Sequence, residues 1–116
     1  MGETKQQDIV WVRFPYSDMK ESKFRPAVVV SNDSYNKKNM DVVACAVTSK
    51  LDDREYSILL DESNISSGKM PLKSRIRADK IILIDKLLVA KTFARLDNRT
   101  FDLLTYEISR LVKRKK

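Results

Sequence analysis

Two segments near the N-terminus restrict this chain more than anything else in it. Asp8-Ile9-Val10-Trp11-Val12-Arg13-Phe14 alternates enough for a strand that Pro15 closes, and Arg25-Pro26-Ala27-Val28-Val29-Val30-Ser31 opens a nearly unbroken β-branched run. Between them lies a stretch, Tyr16–Phe24, that carries Asp18, Lys20, Glu21 and Lys23 but no glycine. Together they predict a β-hairpin with a long charged loop, and charged loops of this length are more often functional than structural. Arg25 stands where that loop re-enters the sheet. A scaffold-anchored side chain that solvent can still reach is well placed for chemistry.

The second strand, with its body at Val28–Ser31, is apolar throughout, as expected of a strand buried on both faces in a barrel or covered sheet. Asn32-Asp33-Ser34 predicts a cap for a short helical turn through Tyr35-Asn36-Lys37. Further strands are expected at Asp41–Thr48, Tyr56–Leu60 and Ser74–Ile84, with a short one near Leu88–Phe93, and 61–73 reads as an irregular loop. In the Ser74–Ile84 run, Arg75, Arg77 and Asp79 occupy alternate positions and therefore share a face. From Asn98 the period changes. Phe101, Leu104, Ile108, Leu111 and Val112 recur at helical spacing, with Asp97 or Asn98 as N-cap. The expected fold is mainly β with helices (α+β): a small, strongly bent sheet or barrel capped by one terminal helix. One domain over residues 1–116 is expected, with 1–7 flexible, a helix over 98–112 and a basic tail at 113–116.

Charge adds a partner class. The net charge is +7, from 23 Lys and Arg against 16 Asp and Glu. An excess of this sign suits nucleic acid, a membrane surface or an acidic protein, although solubility alone also accounts for it. The single cysteine, Cys45, rules out an internal disulfide and sits in an apolar run that marks it as a buried small hydrophobe. Histidine is absent, which removes Ser-His and Cys-His nucleophile pairs and the usual zinc ligands. Acid–base work therefore falls to Asp, Glu, Lys, Arg, Tyr or the backbone. No segment is long and apolar enough to span a membrane, and Met1–Gln7 does not read as a signal peptide. A cytoplasmic protein without membrane contact is expected.

Five fragments, in order, give a resemblance: Asp8-Ile9-Val10-Trp11-Val12, then Arg25-Pro26-Ala27-Val28-Val29-Val30-Ser31-Asn32, Tyr35-Asn36, Val47-Thr48-Ser49 and Ile76-Arg77-Ala78-Asp79-Lys80. With them the chain, from about residue 8 to the terminal helix, resembles the MazF/PemK (Kid-like) toxin family of type II toxin–antitoxin systems. The resemblance implies an SH3-like small β-barrel of the CcdB/PemK plasmid-maintenance type, acting as a homodimer. It implies cleavage of single-stranded RNA without metal or other cofactor, and silencing by a cognate antitoxin protein. Two positions depart from the family's pattern. Gln7 stands where a glycine usually starts the first strand, and Lys20 stands where the hairpin loop usually carries glutamate, with Glu21 one step away.

Metal-free RNA cleavage requires that the ribose 2′-OH lose a proton, that the phosphorane oxygens be stabilised and that the leaving 5′-oxygen gain a proton. The resemblance implies that Arg25 and Thr48 brace the phosphate, and its second site motif maps onto Arg77 and Asp79. The planar donors of an arginine suit an increasingly anionic phosphate. Asp79 is the carboxylate of its segment and serves as candidate general base, with both arginines stabilising charge. Lys20, Glu21, Lys23 and Ser49 are candidate substrate contacts. Blander roles stand beside these: Arg25 as a loop cation paired with Glu21, Thr48 as a plain strand residue, Arg77 and Asp79 as a solvated ion pair. Trp11 and Tyr35 fit core or dimer-interface packing better than base stacking. Two other functions stay open: a non-catalytic nucleic-acid-binding barrel, or a toxin fold acting on a protein target.

Overall fold

A computed structural model describes residues 3–15 and 22–115. Seven strands form one antiparallel sheet: β1 (Asp8–Pro15), β2 (Ser22–Val29), β3 (Asp41–Thr48), β4 (Ser57–Leu60), β5 (Ile65–Gly68), β6 (Ser74–Asp85) and β7 (Val89–Leu96). Their order across the sheet is β4-β6-β3-β2-β1-β7-β5. Helix α1 (Asp33–Lys38) bridges β2 and β3, and α2 (Asn98–Val112) closes the chain. The sheet curls into a half-barrel against α2, the expected mainly-β class with a terminal helix.

The middle stretches of the central strands are apolar because both of their faces are covered there. Ile9, Val28, Cys45 and Val47 point into one core with Leu60, Ile76, Leu96, Phe101 and Leu104. Their neighbours Val10, Val12, Ala27, Val29, Val42 and Ala44 point into a second, with Ile84. Alternation along a strand sends successive side chains to opposite faces, so each strand feeds both cores. Helix α2 covers the first core through Phe101 and Leu104, with Ile108 packed against it. Its N-cap is Asp97, whose carboxylate accepts the Thr100 amide at 2.7 Å. The expected inward period stops short, since Val112 is 70 % exposed where the last turn runs beyond the sheet.

Three elements differ from the expectation. Residues 22–24 belong to β2 rather than to a loop, because the β1 ladder continues through Arg13↔Phe24, Phe14↔Lys23 and Pro15↔Ser22. A backbone ladder needs no apolar side chains. Pro26 fits because β2 there pairs with β1 alone and its pairing with β3 begins at Ala27. Within 61–73, where an irregular loop is expected, lie a 3-10 turn (Glu62–Asn64) and the edge strand β5. Gly68 makes β5 possible: it has φ +80, and a Cβ there would come within 2.2 Å of the Phe93 carbonyl oxygen on β7. Finally, the N-terminal arm is tied down from Lys5 onward, where flexibility was expected. The Lys5 amide donates to Asp8, and Gln6 bonds Asp33 and the Val30 carbonyl.

Gln7, at the position where a glycine is usual, adopts φ 78. A non-glycine residue in this region costs about 1 kcal/mol. Its side chain compensates by donating to the Leu96 carbonyl at 2.9 Å and to Asn98 Oδ1 at 3.0 Å. The start of β1 is thereby clamped to the β7–α2 corner.

Candidate functional site

The open end of the sheet holds a groove of about 800 Å³. Register explains which residues reach it. Ala27 on β2 faces Ala46 on β3, and extending that antiparallel register by two residues sets Arg25 across from Thr48. On the other side of β3, Thr48 faces Arg75 of β6 directly. Arg25, Thr48 and Arg75 thus come from three neighbouring strands, and all three line the groove. Between Cys45 and Val47 the β3–β6 register breaks: Cys45 pairs with Ile81, but Val47 pairs with Ile76. Residues 77–80 of β6 are left without a β3 partner at this break, while the other edge of β6 pairs with β4 from Ser74 to Arg77, Arg77 facing Ser57.

The walls are strongly cationic. Arg25, Lys50, Arg54, Arg75, Arg77 and Lys80 line the groove, with Asp52 as its carboxylate among the described residues. Thr48 is half-buried, and its hydroxyl oxygen accepts the Lys50 amide at 3.2 Å. That bond orients the hydroxyl and leaves its O–H to donate. Arg77 forms a two-pronged pair with Asp79, Nε to Oδ1 and Nη2 to Oδ2, each at 3.0 Å. Arg54 approaches the same carboxylate at 3.8 Å. The Arg77 hydrogen bonds hold the Asp79 carboxyl below the ordinary carboxylate value, outweighing the partial desolvation that opposes them. Cys45 takes no part: burial, with a smaller contribution from Asp79, pushes its thiol up to about 12.

Of the residues singled out from sequence, Arg25, Thr48 and Arg77 come together in the groove, and Asp79 stands at its rim through Arg77 and Arg54. Lys23 is exposed on β2 and Ser49 is exposed just beyond β3; neither lines the groove. Lys20 and Glu21 lie outside the described residues. Trp11 stacks against Phe93 with ring centroids 5.2 Å apart, in keeping with packing rather than base stacking. The residues that went unassigned are Arg75 and the β3–β4 segment with Arg54 and Ser57. Arg75 was placed on the right face by alternation alone, but its pairing with Thr48 depends on a register no local pattern specifies.

A family model described as PemK-like, MazF-like toxin of type II toxin-antitoxin system matches residues 5–112. A comparison with curated proteins finds no match. Among solved structures, the MazE-MazF crystal structure (Form-III) from Deinococcus radiodurans superposes with a TM-score of 0.82 at 18 % identity, covering 98 % of this chain and 100 % of that one. An endoribonuclease in complex with its cognate antitoxin from a mycobacterial species gives 0.78 at 18 % identity, covering 97 % and 99 %. Mycobacterium tuberculosis toxin MazF-mt6 gives 0.74 at 14 %, covering 94 % and 99 %. At these identities the structural likeness is one of fold.

Proposed function

Because this chain belongs to the PemK-like, MazF-like toxin family of type II toxin–antitoxin systems, we propose that it is a metal-independent, sequence-selective endoribonuclease acting on single-stranded RNA. The observation that carries this is the groove itself, where Arg25, Thr48 and Arg77 meet and the described lining residues include six cations and one carboxylate. Such a channel concentrates a polyanion and holds its phosphates. Arg25 and the Thr48 hydroxyl donate to the non-bridging oxygens of the scissile phosphate. Donors fixed before reaction are worth more than mobile ones, about 10²–10³ in rate for each. Arg77 adds charge stabilisation, aimed by its pairing with Asp79.

The 2′-oxygen attacks phosphorus as its proton passes to Asp79. The phosphate–5′-oxygen bond then breaks, giving a 2′,3′-cyclic phosphate and, once the leaving oxygen is protonated, a 5′-hydroxyl. Asp79 is a weak base because Arg77 holds its carboxyl low, but for the same reason it stays ionised through neutral pH. In the cell the chain pairs with a cognate antitoxin and forms a homodimer. The apolar outer face of β6, with Leu83 63 % and Ile81 42 % exposed, supports such contacts.

The deciding experiment incubates purified protein with a long single-stranded RNA in EDTA. Discrete fragments with cyclic-phosphate ends are expected, and Arg25→Ala and Thr48→Ala should each abolish them without loss of fold. Binding without fragments would replace the enzyme by a non-catalytic nucleic-acid-binding barrel. Fragments that persist in both variants would trace the cutting to another source.

A further inference from the structure

Arg75 is the most enclosed of the groove's structurally paired cations. Its side chain is 13 % exposed, against 24 % for Arg77 and 49 % for Arg54. Ser57 fixes it from β4: the serine hydroxyl accepts from Nε at 3.0 Å and the serine carbonyl accepts from Nη2 at 3.5 Å. The serine is anchored in turn, donating to the Arg54 carbonyl. A guanidinium carries five N–H donors, so Ser57 takes two and the rest remain at the groove wall. Among the described residues the carboxylate paired with it is Asp53, 3.6 Å away and 99 % exposed, too solvated to neutralise the charge effectively. A desolvated, rigidly held cation with donors to spare is built to receive an anion.

Its position says which anion. Arg75 and Thr48 are direct cross-strand partners, and neighbouring strands lie about 4.8 Å apart. Arg25 reaches the groove from the other side of Thr48. The two arginines therefore flank the threonine rather than converge on one set of oxygens. We infer that Arg75 forms a second phosphate subsite, holding the phosphodiester next to the scissile one and so fixing the register of the strand in the groove. This rests on the groove being an RNA site, and it assigns Arg75 a substrate-holding role distinct from the bracing role of Arg25.

The test compares the native-sequence protein with Arg75→Gln and Arg75→Ala. Gln keeps a donor for Ser57 and guards against a folding defect, which thermal melting monitors. Binding of a fluorescent, uncleavable 2′-O-methyl RNA 12-mer is titrated across salt concentrations. Losing one phosphate contact on a single strand should lower the slope of log K against log salt by about 0.7. Cleavage should show an increase in KM of about tenfold that exceeds the drop in kcat. Methylphosphonate placed at the phosphate adjacent to the mapped cut should weaken the unaltered protein but add little to Arg75→Gln. An unchanged slope, or equal methylphosphonate losses in both proteins, would overturn the subsite while leaving the nuclease intact. If the unaltered protein neither binds nor cuts RNA, the nuclease reading falls and the subsite with it.

Discussion

Both ends of the sheet place an aspartate against an arginine, yet the two pairs do opposite things. At the start of β1, Asp8 is buried and takes the Lys5 amide at 2.8 Å and Arg95 at 3.4 Å, while Arg95 also donates to the Gln6 carbonyl. Everything there is spent on fastening the N-terminal arm. At the groove, Asp79 takes both prongs of Arg77, and the cation still lines an open cavity. Burial dominates at the first site and pushes the Asp8 carboxyl up; hydrogen bonding dominates at the second and pulls Asp79 down. The same chemical pair is a fastener where it is enclosed and, where it borders solvent, holds a guanidinium in place at the groove.

The sharpest way to break that contrast is to remove each arginine. Arg77→Ala should slow RNA cleavage by about 10²-fold with little change in melting temperature. Arg95→Ala should do the reverse, leaving cleavage near its starting rate while costing about 1–2 kcal/mol in urea denaturation, since Asp8 loses a partner in a buried setting. Equal cleavage losses in the two variants would erase the distinction.

A finer probe is the acid dependence of stability. A depressed carboxyl such as Asp79 contributes stability that is present above its unfolded value of 3.8 and lost as pH falls through its folded one. Asp8, being raised, does the opposite: its contribution declines as pH climbs from 3.8 to its folded value. Asp79→Asn should therefore flatten the fall in stability on acidification below pH 3.8, whereas Asp8→Asn should steepen the rise in stability just above it. Chemical denaturation at a series of acidic pH values separates the two signs.

The smallest effect is expected at Gln7. Gln7→Gly relieves a backbone at φ 78 but loses the bonds to Leu96 and Asn98. The two contributions are each about 1 kcal/mol, so the net change in denaturation midpoint should be slight. A loss well above 1 kcal/mol would mean that the side-chain clamp outweighs the strain.

How far the sequence reached follows the same division between local and remote causes. The start of α2, with its cap at Asp97 or Asn98, the apolar runs at Val28–Val29 and in β3, and the shared face of Arg75, Arg77 and Asp79 all follow from spacing, and all were legible. Strand β5 was not, because Ile65-Ser66-Ser67-Gly68 has little strand character of its own and exists through the close approach of Gly68 to β7. The first three residues of β2, Ser22, Lys23 and Phe24, were hidden because their place in the sheet comes from backbone pairing with β1 and not from an alternating apolar pattern. Arg25, Thr48 and Arg77 were recognisable as a set only through family resemblance, since their meeting depends on how β2, β3 and β6 align. The role of Arg75 hangs on the interrupted β3–β6 register, which no stretch of either strand announces.

The spacing of Arg77 and Asp79, two positions apart on one strand, has a temporal meaning. Their fork needs only an extended backbone, so it can assemble as soon as that stretch of chain straightens, whereas Arg25 and Thr48 have no relation until distant segments have docked. Half of the proposed site is thus written into a single short peptide, and the other half exists only once β2 and β3 lie side by side.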